Sequence, residues 1–183
     1  PANNTINKVF GCLSIILDVA EESGLMVKNP CKKINILPKT SFKQRDILTK
    51  EEIRKLFPTD TENLLKIWDN WENVSLIYLS LSSGMRSGEI RAITWGDIDW
   101  INNAVYITKA IKAENILGCT KNGKERPVLP PKKAFVYLQQ WKQLSVNNKG
   151  TDRVFIGRDG ESPVSGQKIR NVLNRALKKL GLY

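Results

Sequence analysis

The residues with the most chemical capacity in this chain are an arginine placed just after a glycine and a lysine placed in a tight turn. Arg86 follows Gly84-Met85 and stands three residues before Glu89, while Lys121 lies in Thr120-Lys121-Asn122-Gly123-Lys124, ahead of Arg126. A guanidinium presents five donors in a rigid fork, a shape that suits two oxygens of one phosphate at once. Taken alone, Arg86 and Glu89 read as a surface helix pair worth about 0.2–0.5 kcal/mol. The glycine argues otherwise, because it ends the preceding apolar run and lets the backbone present the guanidinium at a break between elements. Asn-Gly is the preferred pair for a two-residue hairpin turn, so Lys121 and Lys124 also read as solvated turn residues. Histidine is absent from the 183 residues, and Cys12, Cys31 and Cys119 lie far apart in no C-x-x-C pair. Ser-His-Asp and Cys-His catalysis are thereby excluded within the chain, and neither a zinc site nor a disulfide framework is expected. Chemistry falls to Arg, Lys, Tyr, Ser and carboxylates.

The net charge of +11 is unevenly placed. Residues 1–50 carry 8 basic and 4 acidic groups, residues 51–100 carry 5 and 9, and residues 101–183 carry 16 and 5. Basic flanks around an acidic middle favour a polyanionic partner, since phosphate neutralisation and counterion release dominate protein binding to nucleic acid. The bland alternative is a solvated basic surface that serves solubility. No apolar stretch reaches the roughly 18 residues that cross a bilayer, and the first twenty residues have helical periodicity rather than the layout of a cleavable signal. The chain reads as soluble and cytoplasmic.

The elements that must position Arg86 and Lys121 follow from periodicity and punctuation. Ile6, Phe10, Leu13, Leu17 and Ala20 draw one apolar stripe on a helix of about five turns, with Asn3 or Asn4 as its cap and Gly24 beyond its end. Residues 1–36 form this first region, and a lone amphipathic helix there has to belong to a larger helical domain. Residues 37–48 read as a basic linker, and Thr49-Lys50-Glu51-Glu52 before Ile53 has the spacing of a capping box that opens a second domain, residues 49–183. Val74, Ile77, Tyr78 and Leu81 mark a buried helix that stops at Ser82-Ser83-Gly84, and Glu89 to Ile93 suggest a further turn or two. A strand over Asp97–Trp100, a turn at Asn102-Asn103, a strand through Val105-Tyr106-Ile107 and a third over Arg126–Leu129 predict a small antiparallel three-stranded sheet. Pro130-Pro131 opens a helix with Phe135, Leu138, Trp141 and Leu144 inward, and Ser165 caps a last helix carrying Ile169, Val172, Leu173, Ala176 and Leu180. The class is α+β, mainly helical.

The run Ser82-Ser83-Gly84-Met85-Arg86-Ser87-Gly88-Glu89-Ile90-Arg91-Ala92-Ile93-Thr94-Trp95-Gly96-Asp97-Ile98-Asp99 closely resembles the first signature box of tyrosine site-specific recombinases of the phage integrase type. Thr120 to Pro130 resembles their β-hairpin lysine segment and the strand after it, and residues 5–31 more weakly resemble the end of their helical core-binding domain. The resemblance implies that Arg86 is the first catalytic arginine, that Lys121 is the general acid with Lys124 as fallback, and that Glu89 supports the site without doing the chemistry. It implies transesterification through a 3′-phosphotyrosyl intermediate, with no metal or nucleotide cofactor. The expected partner is double-stranded DNA, gripped as a tetramer on paired sites, with Lys8, Lys39, Lys43, Arg45, Lys124 and Arg126 among the contacts. The family's H-x-x-R box and nucleophilic tyrosine follow the stretch that this chain matches, so Tyr183 is not the nucleophile and the chain is expected to bind DNA without cutting it. A non-catalytic DNA-binding regulator with a recombinase-like fold is the alternative.

Overall fold

A computed structural model describes residues 2–38, 47–112, 116–119 and 123–182. They form two compact units, Pro1–Ile47 and Leu48–Tyr183. In the first, helix α1 (Asn3–Glu22) is followed by Gly24 at φ +70° and a 3-10 turn, Pro30–Lys33. Asn3 and Asn4 do not cap α1. Ala2 holds that position without a side-chain bond, and the Asn3 amide donates instead to the Pro38 carbonyl at 2.9 Å. The fully buried Asn29 organises the unit. Its amide nitrogen donates to the Ser14 carbonyl (2.9 Å) and to Asp18 (3.0 Å), and its side-chain oxygen accepts from the Cys31 N–H (2.9 Å). Within this unit no residue of α1 is buried, and Val9, Leu13 and Ile16 of its apolar positions stay exposed.

The second unit begins with the capping box read from the sequence. Glu52 N–H donates to Thr49 Oγ1 at 3.2 Å and Thr49 N–H to Glu52 Oε2 at 2.7 Å, opening α2 (Lys50–Leu56). A helix that the periodicity did not announce comes next, α3 (Thr61–Trp68), capped by Asp60. Its Trp68 is buried, stacked on Phe57 at 5.0 Å between ring centroids, and donates its indole N–H to the Leu56 carbonyl at 2.7 Å. Helix α4 (Trp71–Ser83) buries Val74, Leu76, Ile77 and Leu79 and stops at Gly84, whose φ of +65° is the left-handed conformation that glycine enters without a Cβ penalty.

After α4 the chain makes one short helix, α5 (Ser87–Ile90), and then a small sheet. Trp95–Asp97 is a 3-10 turn rather than strand, because Asp97 accepts the Thr94 N–H at 2.7 Å and closes the backbone there. The first strand is therefore only β1 (Ile98–Asp99). It pairs antiparallel with β2 (Ala104–Ile107), which pairs antiparallel with β5 (Arg126–Val128). A second sheet, absent from the sequence reading, is the two-stranded β3 (Ala110–Ile111) and β4 (Leu117–Gly118).

Helix α6 (Lys132–Leu144) packs on α4 and buries Phe135 and Leu138, whereas Leu144, expected inward, lies at the helix end and faces solvent. Helix α7 (Gly166–Lys179) is capped by Ser165 and buries Val172 and Ala176. Three ion pairs tie it to the acidic corner between α3 and α4: Lys168 to Glu72 (2.7 Å), Arg175 to Asp69 (3.0 Å) and Lys179 to Asp69 (2.6 Å). The fold is mainly helical, with both small sheets antiparallel.

Candidate functional site

Arg86 sits where α4 has ended and α5 begins, in extended backbone at φ −71° and ψ 150°. Gly84 reverses the chain and Met85 is buried, so the next side chain is delivered to the surface. The Arg86 side chain is 54% exposed and that of Glu89 only 1%. Glu89 Oε2 accepts the Arg86 backbone N–H at 2.8 Å and Oε1 accepts Arg86 Nη1 at 3.1 Å. The carboxylate thus fixes both ends of the arginine while the guanidinium keeps further donors for a ligand.

Arg126 of β5 closes the arrangement. Its Nη1 donates to Glu89 Oε1 at 3.1 Å and its Nη2 to Oε2 at 2.9 Å. A carboxylate offers about four lone-pair sites, and two guanidiniums plus one backbone amide fill them all. Burial pushes the Glu89 carboxyl up, but hydrogen bonds from Arg126 and Arg86 outweigh it and hold the group below its ordinary value. Arg126, bonded to Glu89, is shifted upward in turn. The cluster carries two positive charges against one negative, a balance open to an anion.

The β3–β4 hairpin approaches the same loop at Gly88. A Cβ built there would stand 2.5 Å from the Ile111 carbonyl oxygen, a backbone atom that cannot swing aside. Gly88→Ala gains up to about 1 kcal/mol of helix propensity, yet the clash costs about 1–3 kcal/mol. A lower denaturant midpoint for this chain is the expected result. An unchanged or higher midpoint would show that β3 yields freely.

Of the other residues expected at the site, Lys121, Lys39, Lys43 and Arg45 lie outside the described residues. Lys124 is exposed beside Gly123, which has φ +66°, and Lys8 is exposed on α1 in the first unit. The structure brings Arg86, Glu89 and Arg126 together, and Lys124 is an exposed residue. What sequence reasoning missed is that Arg126 faces Glu89 across 37 positions, and that Gly88 is a point of close backbone approach. The nearest signal was the alternation of β5, which sets Arg126 opposite Ile107. A further ion pair, Lys109 to Asp97 at 3.0 Å, braces the turn that leads into β1.

A mainly helical domain with a three-stranded sheet, and an arginine posed at a helix break by a buried carboxylate, define the catalytic-domain fold of tyrosine recombinases. The sequence model of the phage integrase family matches residues 46–183, and the chain belongs to that family. The ICEBs1 integrase of Bacillus subtilis (strain 168) is 27% identical over 147 residues, which are 78% of this chain and 38% of that protein. A XerC-like tyrosine recombinase of Caldanaerobacter subterraneus is 26% identical over 133 residues, 69% of this chain and 32% of that protein. Among solved structures, the Tn1549 transposon integrase in complex with a circular intermediate DNA superposes with a TM-score of 0.76 at 16% identity, covering 99% of this chain and 60% of that one. A lambda integrase tetramer bound to a Holliday junction gives 0.62 at 18% identity, covering 97% and 47%. The chain therefore spans a third to two fifths of the curated relatives that it matches.

Among the described residues no helix is long and apolar enough to cross a membrane, and no group of three or more His, Cys, Asp or Glu side chains could hold a metal ion.

Proposed function

We propose that this chain is part of a site-specific DNA recombinase that cuts and rejoins strands through a 3′-phosphotyrosyl intermediate, with Arg86 on the scissile phosphate. The observation that supports it most is a half-exposed guanidinium held at a helix break by a carboxylate whose acceptor sites are all filled. Such a donor is fixed before charge develops on the phosphorane oxygens, which is where electrostatic catalysis acts. Glu89 orients it. Lys121 is the general acid that protonates the leaving 5′ oxygen, and a loop lysine suits closure on bound backbone. The complete protein works on duplex DNA as a tetramer on paired sites, with residues 1–36 belonging to its helical DNA-binding domain and residues 37–48 linking the two. These 183 residues contain no histidine and hence no H-x-x-R box, and by themselves they are expected to bind DNA and leave its strands intact.

The test uses a substrate whose bridging 5′ oxygen is replaced by sulfur, a leaving group that needs no proton. In the complete recombinase, Lys121→Ala slows cleavage of the ordinary phosphodiester by about 10²-fold or more, and the sulfur substrate restores most of the rate. Lys124→Ala shows no selective rescue. Rescue of Lys124→Ala instead would move the acid to Lys124. A covalent adduct formed by this chain alone would refute the division of the active site proposed here, and a complete protein that bound DNA without ever cleaving it would be a regulator rather than an enzyme.

A further inference from the structure

Arg126 lies on a strand, 37 positions from Glu89, yet both its terminal nitrogens are spent on that one carboxylate. A lysine could supply the charge, but only a planar fork engages both oxygens in parallel. We propose that Arg126 is a positioning residue for Arg86: from β5 it locks the shared Glu89 carboxylate and so fixes where the Arg86 guanidinium stands relative to the three-stranded sheet. This inference rests on the recombinase reading above.

Three observations carry it. Glu89 meets each arginine through both of its oxygens, so it cannot rotate to follow one without breaking bonds to the other. Arg86 has only this carboxylate as a side-chain partner among the described residues, so its aim depends on Glu89. Among the described residues, the elements packed on α5 bring no charged substitute: β3 brings Ala110 and Ile111, and the last turn of α4 brings Ser80 to Ser83. If Arg126 were a phosphate ligand first, its fork would have to leave a buried anion with half its partners, a costly exchange.

The experiment has two arms. In this chain, the Glu89 carboxyl is titrated by carbon NMR. The wild-type group titrates below the ordinary glutamate value of about 4.3, and Arg126→Lys and Arg126→Gln both move it upward. In the complete recombinase, single-turnover cleavage is measured at saturating DNA together with affinity against salt. Arg126→Lys is expected to slow cleavage about 10- to 100-fold, and Arg126→Gln, which removes the charge, to leave affinity within about twofold and the slope of log K against log salt unchanged. A lost phosphate contact would instead flatten that slope by about 0.9. A flattened slope with an unaltered cleavage rate overturns the proposal, as does an unmoved Glu89 titration. Full activity of Arg126→Lys removes this inference alone, whereas a wild-type protein silent on DNA removes the recombinase reading and this inference with it.

Discussion

Replacing Arg86 by alanine in the complete recombinase is expected to lower strand cleavage by about 10²–10³-fold with DNA affinity kept within a few fold. The separation follows from what the arginine does. In the proposed role it meets charge that grows on the phosphate in the transition state, and interactions made there raise the rate without adding ground-state binding. The fold survives the change, because Glu89 keeps both bonds from Arg126 and the backbone N–H of residue 86. Arg86→Lys does not rescue, since an ammonium lacks the fork. Single-turnover cleavage beside equilibrium binding is the measurement, and an equal loss in both would demote Arg86 to an ordinary DNA contact.

Trp68→Ala carries the largest expected stability effect. The indole is 1% exposed, stacked on Phe57 and bonded to the Leu56 carbonyl. Truncating a buried tryptophan costs about 3–5 kcal/mol, and whole domains hold only about 5–15 kcal/mol. Urea unfolding of this chain reads the loss directly. Trp68→Phe keeps the ring stack and gives up the N–H, so it should cost about 1–3 kcal/mol. A cost below that range for the alanine variant would mean that α2 and α3 close over the hole.

Local rules were legible where one or two neighbours decide the outcome. The Thr49/Glu52 box, the Gly84 reversal and the Ser165 cap each settle within about four residues, and the structure has all three. The three strands of the antiparallel sheet were also legible, from a turn at Asn102-Asn103 and alternation through Tyr106, but the pairing of the third was not, because the long connection over residues 110–119 left it open. Helix α3 was not, since eight residues with Leu64 and Trp68 as their buried pair are too short to show a period. Nor was the β3–β4 hairpin, whose two-residue strands are placed by close approach to Gly88 rather than by any pattern of their own. Around Arg86, the motif pointed to the arginine and its glutamate, but the second guanidinium comes from a strand 37 positions away, beyond the reach of the motif's own spacing. Leu144 misled because periodicity says nothing about where a helix outruns its neighbour.

The corner formed by Asp69 and Glu72 against Lys168, Arg175 and Lys179 has a bearing on how ionic strength acts on this protein. Added salt screens these partly exposed pairs as well as any contact with a polyanion. The ion pairs that brace α7 and the proposed grip on DNA therefore respond to the same variable, and a titration of affinity against salt would register two populations of ions: those displaced from the nucleic acid, and those that take the place of one half of the protein's own pairs.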